Sequence, residues 1–302
     1  MKKKAFIFII LAGIFWGTSA LFVHTLALFG ITSLQMTFIR SLVSFALLLG
    51  YVLVFDKKLL RTKPSELLIF LGIGITFFGT ASCYFSAMQK TSVATAVILM
   101  YTAPVFVVIY SALFLGEKFT PLKITAIVTM LIGCALVSGV VGGLKFDLMG
   151  LALGFLSGIS YAAYNVLAKI AMSRKNSPFT TTLYCFLFST IIGLFVCNPQ
   201  GILPCIGKLP QFILPIMVLM GFCTCFMPYI LYTDAMKALP AGTATALGIV
   251  EPMAATVFSI FLDEIPGVSS VCGIILILGA VFLLSRCEGK EEEYSCQTAA
   301  TK

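Results

Sequence analysis

Glu251 and Pro252 stand side by side in ALGIVEPMAATVFSIF, residues 246–261, a stretch otherwise apolar or small enough for lipid. An ionised carboxylate near a bilayer centre costs about 3 kcal/mol or more unless it is protonated or paired. The proline removes a backbone hydrogen bond, and the carbonyl it frees must be met by a neighbour or by water. Together they predict an interior surface able to hold a cation or a proton. Arg40, in FIRSLVSFALLL, is the complementary buried charge, and both a fixed ion pair and a working role beside Glu251 fit it. His24 reads either as a hydrogen-bonded packing residue or as a proton switch. Lys169 reads as a lysine that snorkels toward a membrane surface. Trp16, Tyr84, Tyr101, Tyr161, Tyr164, Tyr229 and Tyr232 all fall in apolar segments, where each hydroxyl or indole N–H needs a partner. They suit either core packing or the wall of a mostly apolar small-molecule cavity. The candidate substrate-binding set is therefore Trp16, Tyr84, Tyr101, Asn165, Tyr229, Tyr232 and Glu251, with Arg40, His24 and Glu251 as coupling or ion-pair residues and Pro104 and Pro252 as helix kinks.

These residues need apolar helices to position them. The 302 residues are 60% hydrophobic and 11% charged with mean hydropathy +1.07, a balance that marks an integral membrane protein. Ten apolar runs, near 5–26, 34–55, 66–88, 93–115, 121–140, 148–171, 179–197, 211–235, 241–262 and 267–285, are each long enough to cross about 30 Å of hydrocarbon as a helix. The fold class is thus all-α with ten transmembrane helices. The first run follows MKKK and extends past a usual signal core, so a retained helix is expected. Residues 287–302 read as a disordered cytoplasmic tail.

The net charge of +8 reports topology. With the N-terminus inside, fifteen Lys and Arg, including Lys2, Lys57, Arg61, Lys123, Arg174 and Arg286, lie on the inner side and only Lys90, Lys145 and Lys208 outside. That bias puts both termini in the cytoplasm of a multi-pass plasma-membrane protein and leaves no basic groove for nucleic acid. Six of the ten cysteines fall inside spans as small hydrophobes, and the spacing of Cys223 and Cys225 makes neither a metal knuckle nor a redox pair. Cys197 and Cys205 flank the longest connection and could bridge or stay free. No metal or other cofactor is expected.

The chain repeats itself. GIFWGTSALFVHTL (13–26) matches GFLSGISYAAYNVL (154–167) at an offset of 141, pairing His24 with Asn165. AMQKTSVATAVILMYTAPV (87–105) matches AMKALPAGTATALGIVEPM (235–253) at 148, pairing Pro104 with Pro252. Two units, 1–143 and 144–286, therefore follow, each of five spans. An odd number of spans inverts the second unit relative to the first, the geometry of transporters that bind cargo where helices break near the midplane.

With those motifs in view, the chain resembles the EamA-type members of the drug/metabolite transporter superfamily. The resemblance rests on the doubled five-helix unit, ILMYTAPVFVVIYSALFLGEKFT, LGIVEPMAATVFSIFLDE and the arginine of FIRSLVSFALLL. It implies a central cavity lined chiefly by helices three, four, eight and nine, and movement of small metabolites, often outward. The family's prolines fall on Pro104 and Pro252, its intramembrane acid on Glu251 and its second-helix arginine on Arg40. The Leu-Gly-Glu ending at Leu115–Glu117 has become Leu262-Asp263-Glu264 in the second copy. The function implied is a secondary transporter, an exporter of a small metabolite, amino acid or amphipathic compound, with protons as the candidate coupling ion. An uncoupled facilitator or channel is the alternative. A membrane enzyme is disfavoured by the single histidine and by the lack of a nucleophile beside a base. Monomer and homodimer both remain open.

Overall fold

The computed structural model describes residues 2–90, 96, 99–103, 105–107, 110, 120–137, 147–258, 267–269, 271–280 and 283, and among them every regular element is helical. Helices α1 (Lys2–Gly17) and α2 (Ser19–Leu28) form one span bent at Thr18. They are followed by α3 (Ser33–Phe55), α4 (Pro64–Lys90), α5 (Pro121–Val137), α6 (Leu148–Ser173) and α7 (Pro178–Val196). After the short helix α8 (Ile202–Lys208), a further span is assembled from α9 (Pro210–Gly221), a π-helical turn (Phe222–Phe226) and α10 (Met227–Ala235). Helices α11 (Ala241–Leu247), α12 (Val250–Phe258) and α13 (Val271–Ala280) complete the described chain. Six helical stretches are long and apolar enough to cross a membrane. Their ends fall within a few residues of the apolar runs. Most of the expected span 93–115, with Pro104, and the tail 287–302 lie outside the described residues.

Helix starts follow local chemistry. Thr32 opens α3 with a capping box, its hydroxyl accepting from the Gln35 N–H while the Gln35 side chain accepts from the Thr32 N–H. Asp147 caps α6 by accepting from the Gly150 N–H at 2.6 Å. Large apolar side chains such as Leu28, Phe195 and Val54 remain exposed, as lipid contact requires. The connection between α7 and α9 is folded rather than extended, and Cys197 and Cys205 within it are both buried free thiols, so no bridge forms.

Helices pack where small residues allow close approach. Helix α4 lies along α6, α1 lies against α10 and α12, and α3 pairs with α7. A Cβ on Gly13 would sit 2.9 Å from the Val250 Cβ, and one on Gly158 would sit 2.7 Å from the Leu99 carbonyl oxygen. Both glycines thus bring backbones together, as bundle interfaces in lipid favour. Hydroxyls bind the same contacts, with Ser41 and Ser189 oxygens 3.0 Å apart and Ser44 donating to the Gly221 carbonyl at 2.9 Å.

Polar groups inside the bundle are largely paired. The Tyr232 hydroxyl donates to Asn165 Oδ1 at 2.6 Å, and Asn165 Nδ2 donates to the Tyr161 carbonyl at 2.8 Å, with Tyr232 and Asn165 both fully buried. Where α3 leads into α4, Thr180 and Tyr184 donate to the Leu59 and Leu60 carbonyls, and Glu66 accepts from Arg174 and Asn176. Lys169 does more than snorkel: its Nζ donates to the Met236 and Leu239 carbonyls at 2.9 and 2.6 Å, answering the C-terminal end of α10.

Two outcomes are expected. Gly158→Leu overpacks α6 against the Leu99–Thr102 segment and lowers stability by about 1–3 kcal/mol; thermal unfolding of the purified protein should show it, while Gly50→Leu, at a position with nothing within 4 Å, should not. Tyr232→Phe strands Asn165 Oδ1 and costs about 1–3 kcal/mol. Adding Asn165→Leu should recover part of the lost midpoint.

Candidate functional site: a cavity among broken helices

Four helix irregularities each lie within three residues of a side chain that lines one cavity. The first is the bend between α1 and α2, where Thr18 and Ser19 hydroxyls donate to the Phe15 and Trp16 carbonyls, each at 2.6 Å. The second is a turn at Tyr101–Thr102, where the Thr102 hydroxyl donates to the Leu99 carbonyl at 2.6 Å. The third is the π-helical turn 222–226, closed by the Met227 N–H on the Phe222 carbonyl. Pro228 follows directly and cannot donate to the Thr224 carbonyl, which favours a widened turn. The fourth is the turn at Gly248–Ile249 between α11 and α12, placed by Pro252.

Pro252 has no N–H for the Gly248 carbonyl, and the structure supplies substitutes. The Glu251 N–H reaches that carbonyl at 2.9 Å, and the Tyr101 hydroxyl lies 3.3 Å from it. The same hydroxyl donates to Glu251 Oε2 at 2.7 Å. Tyr101, 1% exposed, therefore ties the carboxylate and the freed carbonyl of one half of the chain to a turn in the other.

Glu251 looks into a cavity of about 70 Å³ lined by Trp16, Ser19, Arg40, Phe77, Thr80, Ala81, Tyr84, Phe85, Met100, Tyr161, Tyr229 and Glu251. Its floor is an aromatic cluster centred on Tyr229, whose ring meets Phe77 at 4.8 Å, Trp16 at 5.1 Å, Tyr164 at 5.7 Å and Phe186 at 6.0 Å, all edge to face. The Arg40 guanidinium lies over the Phe77 ring at 5.4 Å. Among the described residues no carboxylate comes within 4.0 Å of Arg40, so the fixed ion pair with Glu251 does not form; the two charges share the cavity instead.

The sequence-predicted residues separate into two groups. Trp16, Tyr84, Tyr229, Arg40 and Glu251 line the cavity. Tyr101 supports Glu251 from behind, while Asn165 and Tyr232 form the buried strut described above and contribute no cavity surface. His24 lies in α2, its side chain outside the described residues, and Pro104 is likewise outside them. Sequence reasoning missed Ser19, Phe77, Thr80, Ala81, Phe85 and Met100. Five lining residues of α4, at 77, 80, 81, 84 and 85, follow the spacing of one helix face, so Tyr84 and that period carried the signal. Pro228, the in-span proline behind the π-helical turn, was an equally available sign.

Donor and acceptor groups with aromatic walls around a small cavity suit recognition of a small molecule. Among the described residues no cluster of His, Cys, Asp and Glu could hold a metal. The model of the EamA-like transporter family matches the chain twice, over residues 3–139 and 148–286. An uncharacterized transporter of Archaeoglobus fulgidus is 29% identical over 279 residues, covering 92% of this chain and 95% of that one. The pseudopaline exporter CntI of Pseudomonas aeruginosa is 22% identical over 209 residues, 68% of this chain and 70% of the exporter. A crystal structure superposes with a TM-score of 0.78 at 17% identity, covering 97% of this chain and all of that one, a likeness of fold. Matched in both halves by the family model, the chain is a multi-pass membrane protein and belongs to the EamA-like transporter family.

Proposed function

We propose that the chain is a secondary transporter that exports a small metabolite by alternating access, with Glu251 as the group that takes a proton or a substrate cation. The observation that carries this reading is the cavity itself, a mostly aromatic and apolar pocket holding two charged side chains and bounded by turns in both halves of the chain. Trp16, Tyr84, Tyr229 and Glu251 form the binding surface, and Arg40 and Glu251 its charged walls. The reading takes the chain as ten spans in two inverted units, 1–143 and 144–286, with both termini cytoplasmic in the plasma membrane. Reciprocal packing supports it: Gly13 of the first half rests on Val250 of the second, and the matching Gly154 rests on Leu99 of the first. The name of the pseudopaline exporter favours outward movement.

In that orientation the cavity wall at Ser19, Tyr84 and Phe85 points to the outer side. The inner side is closed by Lys169 on α10 and by the Glu66, Arg174 and Asn176 cluster. A ligand larger than the present cavity requires the halves to separate, and repacking of these contacts is the movement expected. Glu251 is faced by Tyr101 and, across the cavity, by Arg40, Tyr161 and Tyr229. Ionised, it accepts from Tyr101; protonated, it gains an O–H donor and accepts more weakly, which shifts the Tyr101 hydroxyl toward the Gly248 carbonyl. Protonation thereby acts on the turn that Pro252 creates.

Comparing metabolites outside cells with and without the protein identifies cargo for proteoliposome flux. Glu251→Gln should abolish the dependence of flux on an imposed pH gradient; unchanged rate and pH dependence would remove Glu251 from the mechanism, and wild-type flux indifferent to the gradient would leave an uncoupled facilitator. Tyr101→Phe should slow flux about tenfold or more, in line with loss of a hydrogen bond to a charged group of about 1.5–3 kcal/mol. Reporter fusions after Ala280 should read as cytoplasmic, and a periplasmic or extracellular signal would break the inverted arrangement.

A further inference from the structure

The connection between α3 and α4 concentrates charge that its own acids do not answer. Its sequence DKKLLRTKPSE, residues 56–66, places four cations, Lys57, Lys58, Arg61 and Lys63, within seven residues. All four are exposed. The two acids of the segment are occupied elsewhere. Asp56 Oδ1 accepts from the Lys58 N–H at 3.0 Å and so caps the single 3₁₀ turn Lys57–Leu60. Glu66 is buried and accepts from Arg174 at 3.3 Å and from Asn176 at 2.9 Å. Among the described residues no carboxylate lies within 4.0 Å of any of the four cations. The turn itself is fixed: Thr180 and Tyr184 of α7 donate to the Leu59 and Leu60 carbonyls, each at 2.8 Å, and both leucine side chains pack on the core. The turn adjoins an exposed aromatic wall. Phe55 is 71% exposed, and Tyr51, one helical turn earlier and 41% exposed, lies 4.8 Å from it and stacks on Phe179 of α7 at 5.5 Å. Helices α3 and α4 are both long and apolar enough to cross a membrane, so their junction belongs at a membrane surface.

We propose that this junction is a binding site for an anionic phospholipid, which sets its phosphate against Lys57, Lys58 and Arg61 and its acyl chains along Tyr51 and Phe55. Charge selects the class of lipid. A zwitterionic headgroup carries its own ammonium group and brings the cluster no net countercharge, whereas an anionic headgroup does, and each basic residue at a membrane surface adds to that attraction. The guanidinium of Arg61 offers paired donors that suit a phosphate. The aromatic wall selects a lipid over a free anion, because a soluble phosphate meets the cations but leaves Tyr51 and Phe55 uncovered. The pinned turn lowers the ordering cost of binding, since its backbone is already held by α7. Phe179 and both α7 donors belong to the second half of the chain, so a lipid seated here braces a contact between the halves. The site depends on α3 and α4 being membrane spans and not on the transport reading.

Native mass spectrometry of the full-length protein in detergent, with phosphatidylglycerol or phosphatidylcholine of matched chains added, reads the site. Phosphatidylglycerol should be retained about tenfold or more tightly than phosphatidylcholine. The triple variant Lys57→Gln, Lys58→Gln, Arg61→Gln should lose that preference, while its thermal midpoint in phosphatidylcholine nanodiscs stays at the wild-type value and shows that it is folded. If the triple variant is unstable, Lys57→Gln and Lys58→Gln tested singly should each lower the preference about fivefold. A control with the same charge removed at Lys2, Lys3 and Lys4 should keep it. Glycerol 3-phosphate, which has the phosphate without acyl chains, should not compete at the lipid's own concentration. Equal retention of the two lipids by the wild type overturns the proposal, and so does a preference that survives in the junction variants. Equal loss in the control assigns the effect to general surface charge, and competition by glycerol 3-phosphate assigns the cations to a soluble anion; either result also overturns it. Lipid preference without flux in proteoliposomes leaves the site standing and defeats only the transport reading, whereas flux without lipid preference does the reverse.

Discussion

Hydrocarbon offers no hydrogen bonds, so each polar group carried into the span must be answered from inside the chain or from a water-lined space. The contact of Tyr101 with both Glu251 and the Gly248 carbonyl is where that constraint is sharpest. Pro252 leaves a carbonyl open, Glu251 brings a carboxylate to the same turn, and one hydroxyl from the other half reaches both. Without Tyr101 the Gly248 carbonyl would keep only the Glu251 N–H, and the Glu251 carboxylate would lose its donor. Elsewhere the same demand is met by local hydroxyls, as at Thr18, Ser19 and Thr102, or by a long lysine, as at the end of α10.

The interruptions occur together, which gives the molecule its shape. A straight apolar helix can pack on its neighbours at almost any rotation, but a broken one exposes carbonyls that only particular partners can serve. The bend at Thr18, the turn at Tyr101, the π-helical turn before Pro228 and the turn at Gly248 each lie within three residues of a side chain that lines the cavity. Small residues let the remaining helices close tightly around them, with Gly13 on Val250 and Gly158 on Leu99. Tight packing around a few irregular turns leaves room for a narrow cavity that is polar at its charged walls and aromatic at its floor.

Within the cavity, the electrostatic arrangement differs from a structural ion pair. Two opposite charges that touched would neutralise each other and fill the space between them. Arg40 instead stacks on Phe77 and Glu251 on Tyr101, so each is held by a neighbour that leaves its charge turned toward the cavity. The buried strut of Tyr232 and Asn165 shows the contrasting case, in which two polar side chains satisfy each other and expose nothing.

Several of these features were legible in the amino-acid order. Length and hydropathy of the apolar runs determined the membrane class and the helix ends to within a few residues, because crossing hydrocarbon requires about 20 apolar residues whatever lies beside them. The duplicated motifs announced the two halves later matched by the family model. Glu251, Pro252 and Arg40 stood out because charge and proline are costly in lipid, and cost is a property of the residue alone. What the sequence could not decide was which polar residues answer one another. Asn165 and Tyr232 carry the same chemistry as the cavity residues yet bond to each other across 67 positions, and Arg40 and Glu251 share a space without pairing. Those outcomes depend on the rotation and tilt of one helix against another, which small residues and turns set through three-dimensional packing and which no local spacing encodes.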